Sequence, residues 1–449
     1  MLAASITPEV EPNDSRFFAT ALSPLESPPS SGYHAAFGSG FLTAGESDYF
    51  TFTALAGDHI SINVEGIGDR LDSEVVLRNS AGGELRRDRD SGPGADSLTP
   101  LYTAPSSGRF YVEVLGDTLI TSGDYKFRVD IGRGINLETD ANYVNDSTGG
   151  ADGLSFEQTG ALRTASIAGT VMGAESSNTD QDVFALGFMR ADSLISLSLD
   201  RPEWSTLNSP ELEILNSSGS VVASADDLDP FALTFTAQVD DSYYARVRTA
   251  TAILDGSRFT LTSQRNDWSV VRAEAQAAGG DLVSIGSLEE NQLIFDTFGG
   301  SRWIGFTDES SEGTYQWSDG SPVTYTRWAV GEPNTPSYDH AYMASNGFWY
   351  DERSWIDFHG IFETAAESGD PLISGAGIEA QYLLDASVEL RDLVPPVVTA
   401  VGRLPAESET TNRVLSTFSV TLSELDPATL SDEAFDLRAS GADGLFDTA

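Results

Sequence analysis

Trp303-Ile304-Gly305-Phe306, Trp317-Ser318-Asp319-Gly320, Trp328, Gly331-Glu332-Pro333-Asn334 and Trp349-Tyr350-Asp351 follow one another in a single stretch of this chain. Short aromatic runs broken by Gly, Pro, Asn and Asp are the pattern of short strands joined by tight turns. Immediately upstream the period changes. Trp268, Val271, Ala275 and Ala278 fall at helical spacing, with Asp267 as N-cap and Gly279-Gly280 as stop. Leu282-Val283-Ser284-Ile285 reads as a short strand, and Ser287 with Glu290 forms a capping-box pattern for a second helix through Phe298. Two helices followed by short aromatic strands define an α+β unit.

The order of these features resembles a C-type lectin-like domain over residues 256–363. The matching residues are Ala273 with Gly279-Gly280-Asp281-Leu282, Glu290-Asn291, Trp303-Ile304-Gly305, Glu312-Gly313, Trp317-Ser318-Asp319-Gly320, Trp328, Glu332-Pro333-Asn334, Trp349-Tyr350-Asp351 and Phe362-Glu363. The resemblance implies a Ca²⁺ ion that also takes two sugar hydroxyls, with mannose-like geometry preferred. Its implied metal ligands are Glu332, Asn334, Asp339 and Asp351, and its implied sugar-binding residues are Glu332, Asn334 and Asp351. Hard carboxylate and amide oxygens suit that ion, and a cis proline in the family makes them converge. Two positions depart: Tyr350 stands where the motif has asparagine, and Tyr338 where an acidic ligand is usual. The alternative is that Glu-Pro-Asn only shapes a turn, with Tyr350 packed on Pro333. Ser354 and Phe362 stand where family cysteines would close the last loop. Trp303, Trp317, Trp328 and Trp349 are expected in the core, Trp355 is left open, and His340, at a family cysteine position, is expected to be buried.

The region before this unit repeats. Asp48-Tyr49-Phe50 matches Asp182-Val183-Phe184, Leu77-Arg78-Asn79-Ser80-Ala81-Gly82 matches Ile214-Leu215-Asn216-Ser217-Ser218-Gly219, and Arg109 to Val114 matches Ser242 to Val247. Alternation in His59-Ile60-Ser61-Ile62-Asn63-Val64 and turn residues between the runs predict β-sandwiches. Glu9-Val10-Glu11-Pro12-Asn13-Asp14, Asp48-Tyr49-Phe50 and Gly123-Asp124-Tyr125-Lys126-Phe127 resemble the bacterial pre-peptidase C-terminal domain, an accessory β-sandwich. Some members bind Ca²⁺ near the acidic opening, here Glu9, Glu11, Asn13 and Asp14. The expected boundaries are 7–132 for the first sandwich and 135–264 for a second, divergent one whose opening lacks Glu-Pro-Asn-Asp. Gly256 to Leu261 reads equally as the last strand of that repeat or the first of the lectin-like unit. Residues 364–391 read as a linker with one strand. Residues 392–449, with Asp392-Leu393-Val394-Pro395-Pro396-Val397, resemble the opening of a bacterial immunoglobulin-like domain, truncated here. The fold class is thus multidomain and mainly β: two tandem sandwiches, one α+β C-type lectin fold and a partial immunoglobulin-like sandwich.

Composition limits the partners. The chain has 25 basic and 69 acidic residues, and Lys126 is its only lysine. So few cations argue against nucleic acid and anionic membrane as partners. An acidic surface fits either Ca²⁺ or simple solubility in salt. There is no cysteine and no apolar run long enough to span a bilayer. Met1 to Ser5 lacks a basic start and an apolar stretch, so a signal peptide is expected outside this chain. No serine-hydrolase elbow, His-Glu-x-x-His or phosphate loop occurs. The expected function is a non-enzymatic, extracellular or cell-surface binding or adhesion protein, with a glycan or surface protein as partner and Ca²⁺ as cofactor. Two alternatives are an accessory region of a secreted peptidase or hydrolase, and a structural spacer with a degenerate lectin fold.

Overall fold

The computed structural model describes residues 5–67, 71–118, 120–176, 178–207, 209–226, 231–367, 373–390, 398–402 and 419–422. In the first sandwich, alternation decides what faces inward. Along Ser47–Ala54, Asp48, Phe50, Phe52 and Ala54 are buried while the residues between them are more exposed. That strand pairs antiparallel with Gly108–Gly116, which pairs with Ser73–Arg78. The facing sheet has Gly123–Gly132 at its centre, between Tyr33–Leu42 and His59–Gly66. Phe50 and Phe127 meet edge-on across the sandwich at 4.5 Å, among fully buried Ile60, Ile62, Val64 and Val112.

The second sandwich repeats this layout. Gln181–Met189, Asp241–Thr249 and Pro210–Leu215 form one sheet as their counterparts do. The other sheet needs a central strand between Leu162–Thr170 and Leu194–Asp200. Gln381–Glu389 fills that place, pairing antiparallel with both. This corrects the boundaries read from sequence. The second sandwich does not close by residue 264, and 364–391 is no linker. Tyr382, Leu384, Ala386 and Val388 point into the core with at most 2% exposure, which a solvated connection would not do. The lectin-like unit is therefore inserted between two strands of its host. Gly256 to Leu261 belongs to the insert, because Ser257–Leu261 pairs with His359–Ala365 and not with the sandwich.

Adjacent ends make the insertion possible. Ala252–Leu254, entering the insert, pairs antiparallel with Ile373–Ser374, leaving it. A domain whose ends adjoin can replace a loop at little closure cost. Inside the insert, helix α1 (Trp268–Ala277) is capped by the Asp267 side chain, which accepts from Val270 N–H. Helix α2 (Leu288–Phe298) is capped by Ser287, which accepts from Glu290 N–H at 3.1 Å, and Glu290 reaches back to Gly286 N–H at 2.7 Å. Trp303, Trp349, Ile304, Ile361 and Ile294 are fully buried between the helices and the short strands.

In the separate C-terminal unit, Val398–Gly402 pairs antiparallel with Ser419–Leu422. The rest of the expected immunoglobulin-like segment lies outside the described residues. Among the described residues, no helix is long and apolar enough to cross a membrane.

A cavity at Leu384 should therefore damage the second sandwich although Leu384 follows the insert. Leu384→Ala should cost about 2–5 kcal/mol, read as lost hydrogen-exchange protection in Leu162–Thr170 and Leu194–Asp200. Unchanged protection there would mean that this strand is dispensable.

Candidate functional site

The Glu-Pro-Asn loop is held from below by Trp349. Its ring is buried, and its Nε1–H donates to Asn291 Oδ1 on α2 at 2.8 Å. The Trp349 N–H donates to Arg327 O, and Ala329 N–H donates back to Trp349 O. This clamps the start of the loop against the strand Trp349–Glu352. Asp351 then sits under the loop, accepting Asn334 N–H at 3.3 Å and Thr335 N–H at 3.0 Å. The Asn334 amide donates to Glu332 Oε1 at 2.5 Å, and the Glu332–Pro333 peptide is cis. Glu332 Oε2 is buried with no protein partner. Burial first, and the neighbouring Asp351 next, push the Glu332 carboxyl above its ordinary range. Two carboxylates thus converge where a proton or a cation relieves the repulsion, with the Asn334 amide turned so that its nitrogen meets Glu332 while its oxygen accepts from the Thr335 hydroxyl at 2.5 Å.

Three of the four predicted ligands, Glu332, Asn334 and Asp351, are brought together. Asp339 is placed differently: its carboxylate makes no hydrogen bond to this trio. Its backbone carbonyl accepts from Thr307 Oγ1 and Asp308 N–H. Its charge acts on Glu312 together with those of Asp308 and Asp351. Asp308 is buried, with one oxygen on Gly313 N–H at 2.7 Å and the other unpartnered. Asp308, Glu312 and Asp339 make a second acidic group that reading the sequence did not assemble. The signal was present in Asp308-Glu309-Ser310-Ser311-Glu312-Gly313, two carboxylates flanking a turn directly after a core strand.

The two departing tyrosines turn away from the trio. Tyr350 stacks on Tyr342 at 5.8 Å and accepts from Asn346, so it does not serve as a lid on Pro333. Tyr338 lies against the Arg353 guanidinium at 4.9 Å, which also faces Trp355 at 5.4 Å. Trp355 is 66% exposed, while Trp303, Trp317 and Trp349 are core residues and Trp328 packs against that core. His340 is buried against Trp268, and burial holds its imidazole below the ordinary range.

A separate acidic site lies in the first sandwich. Ligand atoms of Glu9, Glu11 and Asp48 lie within 4.8 Å of one another, as do those of Glu11, Asp14 and Glu46. Asn13 is wholly buried with neither amide atom partnered, and Asp48 Oδ1 is likewise unpartnered. Oxygen donors of this kind fit a hard divalent cation. Burial, then the charges of Glu9 and Glu11, raise Asp48 from 3.8 to about 8, against a lowering hydrogen bond from Tyr125 at 2.6 Å. The second sandwich carries a counterpart. Glu138, Asp140, Asn145, Asp146, Asp180 and Asp182 stand where the first has Glu9, Glu11, Asn13, Asp14, Glu46 and Asp48. The offsets are 138−9 = 129 and 140−11 = 129, then 145−13 = 132, so three extra residues hide the motif. The apparent lack of the acidic run in the second copy is thereby corrected.

Against this geometry, the Lectin C-type domain family profile matches residues 264–357, and the Bacterial pre-peptidase C-terminal domain profile matches residues 46–116. The chain is 33% identical over 102 residues to the Hepatic lectin of Gallus gallus, covering 22% of this chain and 49% of that protein. It is 38% identical over 109 residues to C-type lectin domain family 4 member M of Symphalangus syndactylus, covering 23% and 26%. The chain thus spans half or less of the length of these relatives. A mouse scavenger receptor C-type lectin carbohydrate-recognition domain aligns at 28% identity and a TM-score of 0.26, covering 27% of this chain and 98% of that one. The molecule is a multidomain, mainly β protein with one α+β insert. That insert is a C-type lectin domain, carried behind a bacterial pre-peptidase C-terminal domain.

The raised carboxylates set a pH dependence. Asp48 binds its proton more tightly folded, at about 8, than at its ordinary 3.8. Between those values the folded state holds more protons, so stability falls as pH rises through that window. In chelator, the melting temperature should drop between about pH 5 and about pH 8, and Ca²⁺ should offset the drop. A flat or rising profile in chelator would remove the case for a charge-strained cluster.

Proposed function

We propose that this chain is an extracellular, non-catalytic binding protein whose lectin domain captures a glycan through a Ca²⁺ ion. The observation that carries this reading is the convergence of Glu332, Asn334 and Asp351, all held by backbone and core contacts. Glu332, Asn334 and Asp351 would supply oxygens to the ion, and sugar hydroxyls would complete its shell. Asp308, Glu312 and Asp339 lie beside it as a second acidic group and raise the local concentration of cations. The lectin relatives support glycan as the ligand class. Mannose-like hydroxyl geometry is the preference that Glu-Pro-Asn suggests. The acidic chain, with its single lysine, favours neither nucleic acid nor an anionic membrane as partner.

A second reading has one observation in its favour, the pre-peptidase profile at 46–116. On that reading the chain is the accessory region of a secreted peptidase or hydrolase, and the lectin domain targets the catalyst to glycosylated surfaces. Both readings require the same binding site.

The test compares the chain with a Glu332→Gln, Asn334→Ala double variant. Calorimetric titration should show one saturable Ca²⁺ site fewer in the variant. Retention on a mannan column should fall at least about ten-fold, about 1.4 kcal/mol, and chelator should abolish it in the unaltered chain. Equal titrations and equal retention would sink the Ca²⁺-lectin mechanism. Tyr350→Asn restores the motif's missing amide and should tighten Ca²⁺ binding in the same titration, even with the Tyr342 stack lost.

A further inference from the structure

We propose that Arg353, held over the rings of Tyr338 and Trp355, is an anion subsite beside the Glu332 loop, and that the glycan taken there carries a uronic-acid carboxylate next to its mannose-like residue. The inference rests on the Ca²⁺-lectin reading of that loop and adds the charge class of the sugar.

In a chain with 69 acidic and 25 basic residues, a cation without an acidic partner stands out. Other arginines of the lectin domain are tied to protein oxygens. Arg272 pairs with Asp281 at 2.8 Å, and Arg302 donates to Phe298 O at 2.9 Å. Among the described residues, the exposed Arg353 guanidinium donates to no protein oxygen. It lies 4.9 Å from the centre of the Tyr338 ring and 5.4 Å from that of Trp355. The neighbouring carboxylates are turned elsewhere. Glu352 Oε1 accepts the Arg353 backbone N–H at 2.9 Å, and Asp351 accepts the N–H groups of Asn334 and Thr335. Aromatic faces attract a guanidinium and steady it, but they leave its planar fork of N–H donors without oxygen acceptors. That fork matches the two oxygens of a carboxylate. Trp355 is largely exposed, so it packs on this cation and not in the core.

The stack is anchored to the Glu332 loop from both sides. Tyr338 N–H donates to Thr335 O at 2.9 Å, and Thr335 N–H donates to Asp351 at 3.0 Å. The Tyr315 hydroxyl holds Tyr338 O at 2.9 Å. On the other side, Ile356 N–H closes a turn on Arg353 O at 3.2 Å, and Ser354 O accepts Trp268 N–H at 2.9 Å at the start of α1. Arg353 follows Asp351 by two residues, about 7 Å of extended chain, so adjacent sugar residues can reach both. The acidic surface repels anions at range, and salt screens that repulsion beyond about 8–10 Å. Preference for a carboxylate must therefore come from contact, which a preordered Arg353 supplies at a reduced entropic cost.

Calorimetric titration of the full chain in saturating Ca²⁺ tests this, with β-1,4-linked mannotetraose and β-1,4-linked tetramannuronate, which differ only in the carboxylates. Tetramannuronate should bind at least about ten-fold tighter. Arg353→Gln should abolish that preference while leaving mannotetraose and Ca²⁺ binding within about two-fold, because the Glu332 loop is untouched. Arg353→Lys keeps the charge without the fork and should still bind tetramannuronate at least about three-fold more weakly than the unaltered chain. Trp355→Ala should weaken tetramannuronate by about three-fold and spare mannotetraose. Glu332→Gln, Asn334→Ala should lose both sugars. Mannotetraose binding without a preference for tetramannuronate, or a preference that survives Arg353→Gln, would overturn this proposal alone. So would tetramannuronate held as tightly by Glu332→Gln, Asn334→Ala, since the two groups would then not share one ligand. Binding of neither sugar to the unaltered chain would overturn the Ca²⁺-lectin reading and this inference with it.

Discussion

The pairing of Gln381–Glu389 between Leu162–Thr170 and Leu194–Asp200 is the constraint on which the rest of the molecule depends. It makes the second sandwich a discontinuous domain, closed only after the lectin domain has been traversed. Every residue from Leu162 to Glu389 is then enclosed in one topological unit. The lectin domain cannot swing as a bead on a flexible string, because both of its connections enter the same sandwich. One connection runs from Asp241–Thr249, at the centre of one sheet, and the other into Gln381–Glu389, at the centre of the facing sheet. Central strands are the last to fray, so the head inherits the rigidity of its mount.

Charge sets the second constraint. A chain with 69 acidic and 25 basic residues folds against its own repulsion. Most exposed carboxylates are screened by solvent and cost little. The cost concentrates where carboxylates crowd around a buried one: Glu9 and Glu11 beside buried Asp48 in one sandwich, Asp140, Asp180 and Asp182, all buried, in the other, and half-buried Glu332 with buried Asp351 in the head. In all three places the acidic side chains are oriented by backbone N–H groups, tyrosine hydroxyls or an asparagine amide, which leave other oxygens unpartnered. Groups placed this way are disposed for a shared positive charge, and the same geometry recurs at structurally equivalent points of the two sandwiches. Gly40 and Gly169 show the equivalence. A Cβ on the first would collide with Tyr125 and Glu9, and on the second with Tyr382 and Glu138. The packing beside the carboxylates is thus repeated along with the carboxylates.

Much of this was legible in the sequence, and the reasons for the failures are physical. The helix caps Asp267 and Ser287 were readable because capping is local, decided by residues three apart. The Glu-Pro-Asn loop was readable because its ligands sit on one short segment and one facing strand. Asp339 differs because it lies in the loop just before the strand His340–Met343, where its direction follows from the turn and not from any periodicity that the sequence shows. The domain boundaries failed for a different reason. Gln381–Glu389 has the alternation of a half-buried strand, and the sequence does predict one strand within 364–391. Its partners lie about two hundred residues upstream, and periodicity carries no information about distant pairing. The second acidic run was missed because three inserted residues broke the spacing, although no ligand was lost.

The inserted topology also bears on what the head can do. Lectin domains that act by avidity gain from flexible linkers, which raise the effective concentration of a second contact. A head mounted between two central strands forgoes that flexibility, so the proposed glycan site would be presented in a fixed direction. Fixed presentation favours a ligand that is itself ordered and repetitive, such as a polysaccharide at a surface, because the orientational cost of binding is met in advance by the fold. In the proposed Ca²⁺ site, tyrosines stand where the motif supplies an asparagine and an acid, which would leave the ion fewer oxygen ligands from the protein. A rigid, preoriented site of that kind would be serviceable, even at modest affinity, where many identical ligand units are displayed side by side.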